Sequence, residues 1–265
     1  MRCWTTAAAL LAGLCALLAL SAAEAQVPVG TLRATYIGQN PVQAFVDPIS
    51  QELRGPGAEI TRALAQRLGL PYTLKGAQGV AGVIASVKSG EADLGFVAFD
   101  PIRAADVDFS QTYSLAQNTY LVLDDSPLRS VDDMDREGLR LGVAESDAGD
   151  YFLTRTLQHA TLTRNPGGNL AVAVDRLKTR EIDAYAANRQ RLTELVAKTS
   201  GLRIVSGNFY GVEQAVIVRK GNRILLEVID KLLDEARTSG LIADSIARAG
   251  LSGVDVAPPR EAQRR

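Results

Sequence analysis

Two hydrophobic rhythms alternate along this chain: short apolar runs of strand length, and longer stretches with apolar positions at helical spacing. Residues 32–37 predict a first strand. Residues 59–68 place Ile60, Ala63, Leu64 and Leu68 on one face of a helix, and Gly69 supplies its stop. Residues 72–74 predict a second strand, 76–79 a loop, and 80–88 a second helix closed by Gly90. Residues 92–99 are an apolar run of the length expected for a strand covered on both faces. Strand and helix in regular succession predict a parallel sheet flanked by helices.

A strand at 119–123 runs into the polar turn 124–127, and the pattern then begins again. A short helix at 130–136, a strand at 139–144, a helix at 151–159, a strand at 161–164, a loop at 165–169 and a helix at 170–178 make a second set. Strands at 202–205 and 213–219 follow, the latter long enough to return to the first set. Residues 224–239 are the clearest amphipathic helix, ended by Gly240, and 241–248 form a last one. An echo links the two sets. Residues 87–94 (VKSGEADL) and 177–184 (LKTREIDA) share a helix end, a turn, a glutamate and an aspartate that opens a strand. The expected fold class is α/β with two lobes, each a mostly parallel sheet flanked by helices, joined by a two-strand hinge. Residues 26–123 plus 213–255 are expected to form lobe 1 and 124–212 lobe 2. The proline pair and charged residues of 256–265 predict a disordered tail.

The first 25 residues are of another kind. Arg2 gives a positive start, residues 7–20 are apolar apart from Gly13, and Ala23-Glu24-Ala25 is a cleavage signal, so 1–25 read as a secretory signal peptide. Both cysteines, Cys3 and Cys15, fall inside it, which excludes disulfides, thiolate metal sites and a cysteine nucleophile from the remainder. Bulky Leu14 before Cys15 disfavours a lipid-attachment site. His159 is the single histidine, and no G-x-S-x-G elbow accompanies it, which argues against a serine hydrolase. With 29 basic and 30 acidic residues the net charge is −1, and no basic footprint for nucleic acid exists. Neither a metal nor a cofactor is expected, and the chain is expected to be a monomer.

The densest chemistry lies at 91–113 (EADLGFVAFDPIRAADVDFSQTY), where a buried strand ends at a capped turn carrying an arginine. Asp100-Pro101 reads as a helix start, with a carboxylate to accept from an orphan N–H and a proline that has none to lose. Arg103 sits one turn on, at the carboxyl end of a parallel strand, where open α/β sheets hold ligands. The bland alternative is a surface arginine paired with Asp106 or Asp108.

Residues 90–113, as GxxDLGFxxxDPxRAxxVDFSxxY, resemble the signature of periplasmic substrate-binding proteins of the polar amino-acid class, which serve ABC importers. Residues 57–69, 139–143 and 216–222 resemble further blocks of that family in the same order. The resemblance implies the periplasmic-binding-protein fold and an extracytoplasmic receptor that closes on a small polar solute and meets a membrane permease. It also implies that Arg103 grips a ligand carboxylate. Asp100 departs from the small or hydroxyl residues the family offers just before that arginine and reads first as the cap of the Arg103 turn, with ligand contact as the alternative. Phe99, an aromatic at a strand end, joins the candidates to pack against ligand. Ser146 and Asp147 occupy the place of a carboxylate-binding loop in lobe 2, and Asn188 stands where amino-acid binders place an ammonium-pairing aspartate. Asn188 therefore points to a small carboxylate or other polar anion, unless Asp147, Asp100 or Glu145 receives the ammonium. By topology alone, Gln39, Asn40 and Gln78 lie on cleft-facing loops. A periplasmic dehydratase or lyase of the cyclohexadienyl dehydratase type, with Glu145, Asp147 or Asp100 as general acid, is the alternative. A sensor subunit that docks its closed form on a membrane kinase is a third reading.

Overall fold

A computed structural model describes residues 27–259 except Gln39 and Ser146, so residues 1–26 with the expected signal peptide, those two site candidates and residues 260–265 lie outside the described residues. The first lobe opens with β1 (Leu32–Ile37), a small hairpin of β2 (Phe45–Val46) and β3 (Leu53–Arg54), and α1 (Pro56–Leu68). It continues through β4 (Tyr72–Ala77), α2 (Gly79–Ser89), β5 (Leu94–Ala98) and β6 (Val107–Phe109). The long strand β7 (Ser114–Leu123) leads out of it. The second lobe holds β8 (Arg140–Ala144), α3 (Ala148–Thr156), β9 (Thr161–Asn165), α4 (Leu170–Lys178), β10 (Ala184–Asn188), α5 (Arg189–Val196) and β11 (Leu202–Ile204). A second long strand, β12 (Tyr210–Arg219), returns to the first lobe, which ends with α6 (Arg223–Thr238), α7 (Leu241–Arg248) and β13 (Val254–Val256).

One sheet runs through both lobes in the order β4-β1-β5-β12-β7-β10-β8-β9. Alternation along its strands feeds a core on each face. Phe96 and Val216 join one lobe-1 cluster with Ile60, Leu64, Ile229 and Leu233, whereas their neighbours Val97 and Ile217 join another with Val83 and Val87 of α2. In lobe 2, Tyr120 and Ala186 face a cluster with Leu141 and Leu153, and Leu121 and Tyr185 face one with Ala173 and Leu177 of α4. The two-sided apolar runs of the sequence are thus strands buried on both faces.

Each long strand divides its pairing between the lobes. Residues 114–118 of β7 pair with β12, while Asn118 to Leu121 pair with β10 and Leu121 to Leu123 with β11. The crossing therefore lies at Asn118, several residues before the expected boundary after 123, because β7 runs as one unbroken strand across it. The expected tail boundary also moves. Val256 pairs with Ser114, and the buried Ala257 donates its N–H to the Tyr113 carbonyl, so the chain is ordered past 255.

The internal echo has a structural counterpart. Arg33 is the second residue of β1 and Arg140 the first of β8; each donates its backbone N–H to an aspartate Oδ2, Asp93 or Asp183, at 2.8 Å. Each guanidinium Nε reaches the same oxygen at 3.1 Å, and each aspartate returns its N–H to the arginine carbonyl at 2.8 Å. The clasp ties the first strand of each lobe to the strand that enters the cleft. Burial alone would raise the Asp183 carboxyl, but the Arg140 side chain and backbone N–H outweigh it and hold the group below its ordinary range. Its contribution is full above the unfolded carboxyl pKa of about 3.9 and is lost as pH falls through the lower folded value. Replacement Asp183→Asn is expected to flatten the acid limb of the stability-versus-pH curve, read as thermal midpoint between neutral and acid pH. An unchanged acid limb would show that the clasp contributes nothing.

Candidate functional site

Between the lobes lies a cleft of about 1170 Å³. Its lobe-1 wall is built at the carboxyl ends of β1 and β5, and its lobe-2 wall at the starts of α3 and α5; the crossing strands form the floor. Asn40, Phe99, Asp100, Arg103, Asp147 and Asn188 all line it. Gln78 does not. The second parallel strand runs on to Ala77, so the expected loop shrinks to a turn into α2, Gln78 is exposed outside the cleft, and Val80 lines it instead.

The arginine turn forms as its residue types dictate. Asp100 Oδ1 accepts from the Ile102 N–H at 2.8 Å and the Arg103 N–H at 3.4 Å, a local closure that holds the chain end of β5 in place. Arg103 is half-buried, and its Nη1 donates to the Ala98 carbonyl at 2.8 Å. Neither carboxylate that could neutralise it nearby does so: Asp106 pairs with Lys88, and Asp108 with Lys220 at 2.9 Å. Among the described residues Arg103 therefore has no ion pair, with one nitrogen anchored and its remaining donors on the cleft side uncommitted.

Two lobe-2 candidates are helix caps. Asp147 Oδ1 accepts from the Ala148 N–H at the start of α3, and Asn188 Oδ1 accepts from the Arg191 N–H at the start of α5 at 3.4 Å. Capping uses the amide oxygen of Asn188 and leaves its two N–H donors. Glu145 is exposed and outside the cleft lining, which removes it from the carboxylates that could act there. Among the described residues no His, Cys, Asp or Glu cluster is arranged as a metal site.

The floor holds residues that the sequence did not single out. In one row across three strands, Asn118 of β7 is paired with Tyr210 of β12 and with Asn188 of β10. Tyr210 stacks on Phe152 of α3, ring centroids 4.5 Å apart and planes 18° off parallel. Burial raises the Tyr210 hydroxyl pKa. On the lobe-1 side, fully buried Gln43 accepts from the Ile37 N–H at 3.0 Å and donates to Gln214 Oε1 at 3.2 Å, tying the loop after β1 to the crossing strand. Gly57 makes this possible, since its N–H reaches the Gln43 carbonyl at 2.7 Å and a Cβ there would stand 2.9 Å from that oxygen. For Asn118 the available signal was an amide inside a strand run, because such a group needs a partner once buried.

No helix among the described residues is long and apolar enough to cross a membrane. Comparison with known proteins gives the architecture a context. None of the curated proteins searched matches the chain. Among solved structures, an ancestral arginine-binding protein bound to glutamine is 25% identical over 84% of this chain and 98% of its own, with a TM-score of 0.60. An amino acid ABC transporter substrate-binding protein from Streptococcus pneumoniae, bound to L-arginine, is 24% identical over 83% of this chain and 94% of its own, with a TM-score of 0.60. A periplasmic binding protein of Salmonella typhimurium with high arginine specificity shares 18% identity, a TM-score of 0.60, 83% of this chain and 99% of its own. The model of the family described as bacterial extracellular solute-binding proteins, family 3, matches residues 32–249. A two-lobed sheet crossed by two long strands, a cleft walled by strand ends and helix starts, and that match together place this chain in the family 3 bacterial extracellular solute-binding proteins.

Proposed function

We propose that this protein is the periplasmic receptor of an ABC importer and closes on a small polar solute through that solute's carboxylate. The observation that carries the reading is the half-buried Arg103 guanidinium, anchored at Ala98 and without an acidic partner among the described residues. A cation held in place before the ligand arrives loses little freedom on binding, and a bidentate carboxylate pair uses its fork geometry fully. Arginine and glutamine, named for two solved relatives, both carry an α-carboxylate, which supports the same anchor. Closure brings the lobe-2 helix starts toward Arg103, where the α5 backbone and the Asn188 N–H donors suit an acceptor-rich ligand. A permease then receives the closed form.

The rest of the ligand is read by lobe 2. With its oxygen on the Arg191 N–H, Asn188 offers donors and no charge, so a hydroxy acid or other carboxylate lacking an ammonium fits that position. Asp147 and Asp100 line the same cleft but each has an oxygen committed to backbone N–H groups.

Replacement Arg103→Ala is expected to weaken binding of the cognate carboxylate roughly ten- to a hundredfold, measured by calorimetric titration. Unchanged affinity would remove the carboxylate anchor. In a thermal-shift panel, hydroxy acids and dicarboxylates are expected to stabilise the protein and the matched amino acids are not, with Asn188→Asp reversing the order. Stabilisation of the unmodified protein by amino acids instead would transfer the ammonium to Asp147 or Asp100 and overturn the Asn188 assignment.

A further inference from the structure

The two long strands are not the whole connection between the lobes. After α7 the chain turns back at Leu251 and runs along β7, pairing Val254 with Ala116 and Val256 with Ser114. It is rooted in lobe 1: Leu251 and Val254 belong to the larger lobe-1 core, and the Ala257 carbonyl accepts from Arg237 of α6 at 2.8 Å. Between these roots it touches lobe 2. The Ser252 N–H donates to Gln190 Oε1 on the first turn of α5, and the Gln117 N–H donates to the Gly253 carbonyl at 2.7 Å.

Gly253 is seated directly against Arg189. Its φ is +68°, and a Cβ built there would lie 2.5 Å from Arg189 Cδ and 2.6 Å from Cβ and Cγ. The Arg189 side chain cannot give way freely, because its guanidinium is held by Asn208 Oδ1 at 2.6 Å, by Thr119 Oγ1 at 3.2 Å and by the Gly207 carbonyl. Gln190 in turn lines the cleft and donates to Glu194 Oε1 at 2.8 Å, and Glu194 also lines the cleft. A single side chain thus joins a lobe-1 segment to the helix whose start forms the lobe-2 wall.

We infer that residues 251–257 form a third interlobe connection, and that Gln190 is the positioning residue through which it sets the angle between the lobes. Rotation about the crossing at Asn118 moves α5 relative to a segment fixed on lobe 1, so the Ser252–Gln190 bond must slide or break whenever the cleft changes its opening. The bond therefore favours the lobe arrangement in which it is made. This inference stands on the connection alone and needs no ligand.

The lack of cysteine beyond Cys15 allows a direct test. Spin labels at Lys75→Cys in lobe 1 and Lys178→Cys in lobe 2, both exposed, report the interlobe distance by double electron–electron resonance without any added ligand. Replacement Gln190→Ala is expected to broaden or shift the distance distribution, and the paired change Gln190→Glu with Glu194→Gln, which keeps an acceptor for the Ser252 N–H and a donor–acceptor contact between positions 190 and 194, to preserve it. Gly253→Ala, which forces the segment off Arg189, is expected to act like Gln190→Ala. Distributions unchanged in both Gln190→Ala and Gly253→Ala overturn the inference, as does a shift in the paired Gln190→Glu, Glu194→Gln variant equal to that in Gln190→Ala. Circular dichroism keeps the test interpretable: if one variant loses its fold, the other decides.

Discussion

The antiparallel pairing of β7 with β12 is the constraint on which the rest of this molecule depends. Only residues 114–118 and 210–214 pair with each other; beyond them each strand gives its edge to a different lobe. Because the sheet is continuous through the crossing, the lobes share a backbone hydrogen-bond network and still own separate cores. A short paired segment between two packed bodies is the geometry of a hinge. It also sets the floor of the cleft, since Asn118, Tyr210 and Asn188 meet in one row at that point and the strand ends of both lobes open toward it.

Around that row, the side chains proposed to face a solute also do local folding work. Asp100, Asp147 and Asn188 each close a turn or cap a helix at the cleft wall. Such a residue is held by the fold and cannot turn fully toward a solute. Its free atoms are what remain for recognition: donors for Asn188, one carboxylate oxygen each for Asp100 and Asp147. Arg103 obeys the same rule, with Nη1 on the Ala98 carbonyl and its other donors left over. Preorganisation of this kind reduces the ordering cost of binding and makes selectivity a matter of a few atoms.

Much of the architecture was legible before the coordinates. Strand 32–37 and helices 170–178 and 241–248 fall where periodicity puts them, and the echo at Asp93 and Asp183 proves to be one Arg–Asp clasp used in each lobe. The Asp100-Pro101 turn and its arginine were visible as well, since capping is written in adjacent residues. The crossing at Asn118 was hidden because one continuous strand serves both lobes, and the polar Gln117-Asn118-Thr119 within it carries no Gly or Pro to mark a boundary. Gln43 and Gln214 were hidden for another reason: their meeting spans distant parts of the chain, and nothing local to either marks it. Residues 256 and 257 looked like the start of a tail because their partners, Ser114 and Tyr113, lie far earlier in the sequence.

The central claim is that the cleft holds a solute by its carboxylate. Native mass spectrometry of the protein as purified from its host, with release and identification of whatever remains bound, tests it most directly. The account predicts one carboxylic acid per chain; a bound solute without any carboxylate, cationic or neutral, would contradict it.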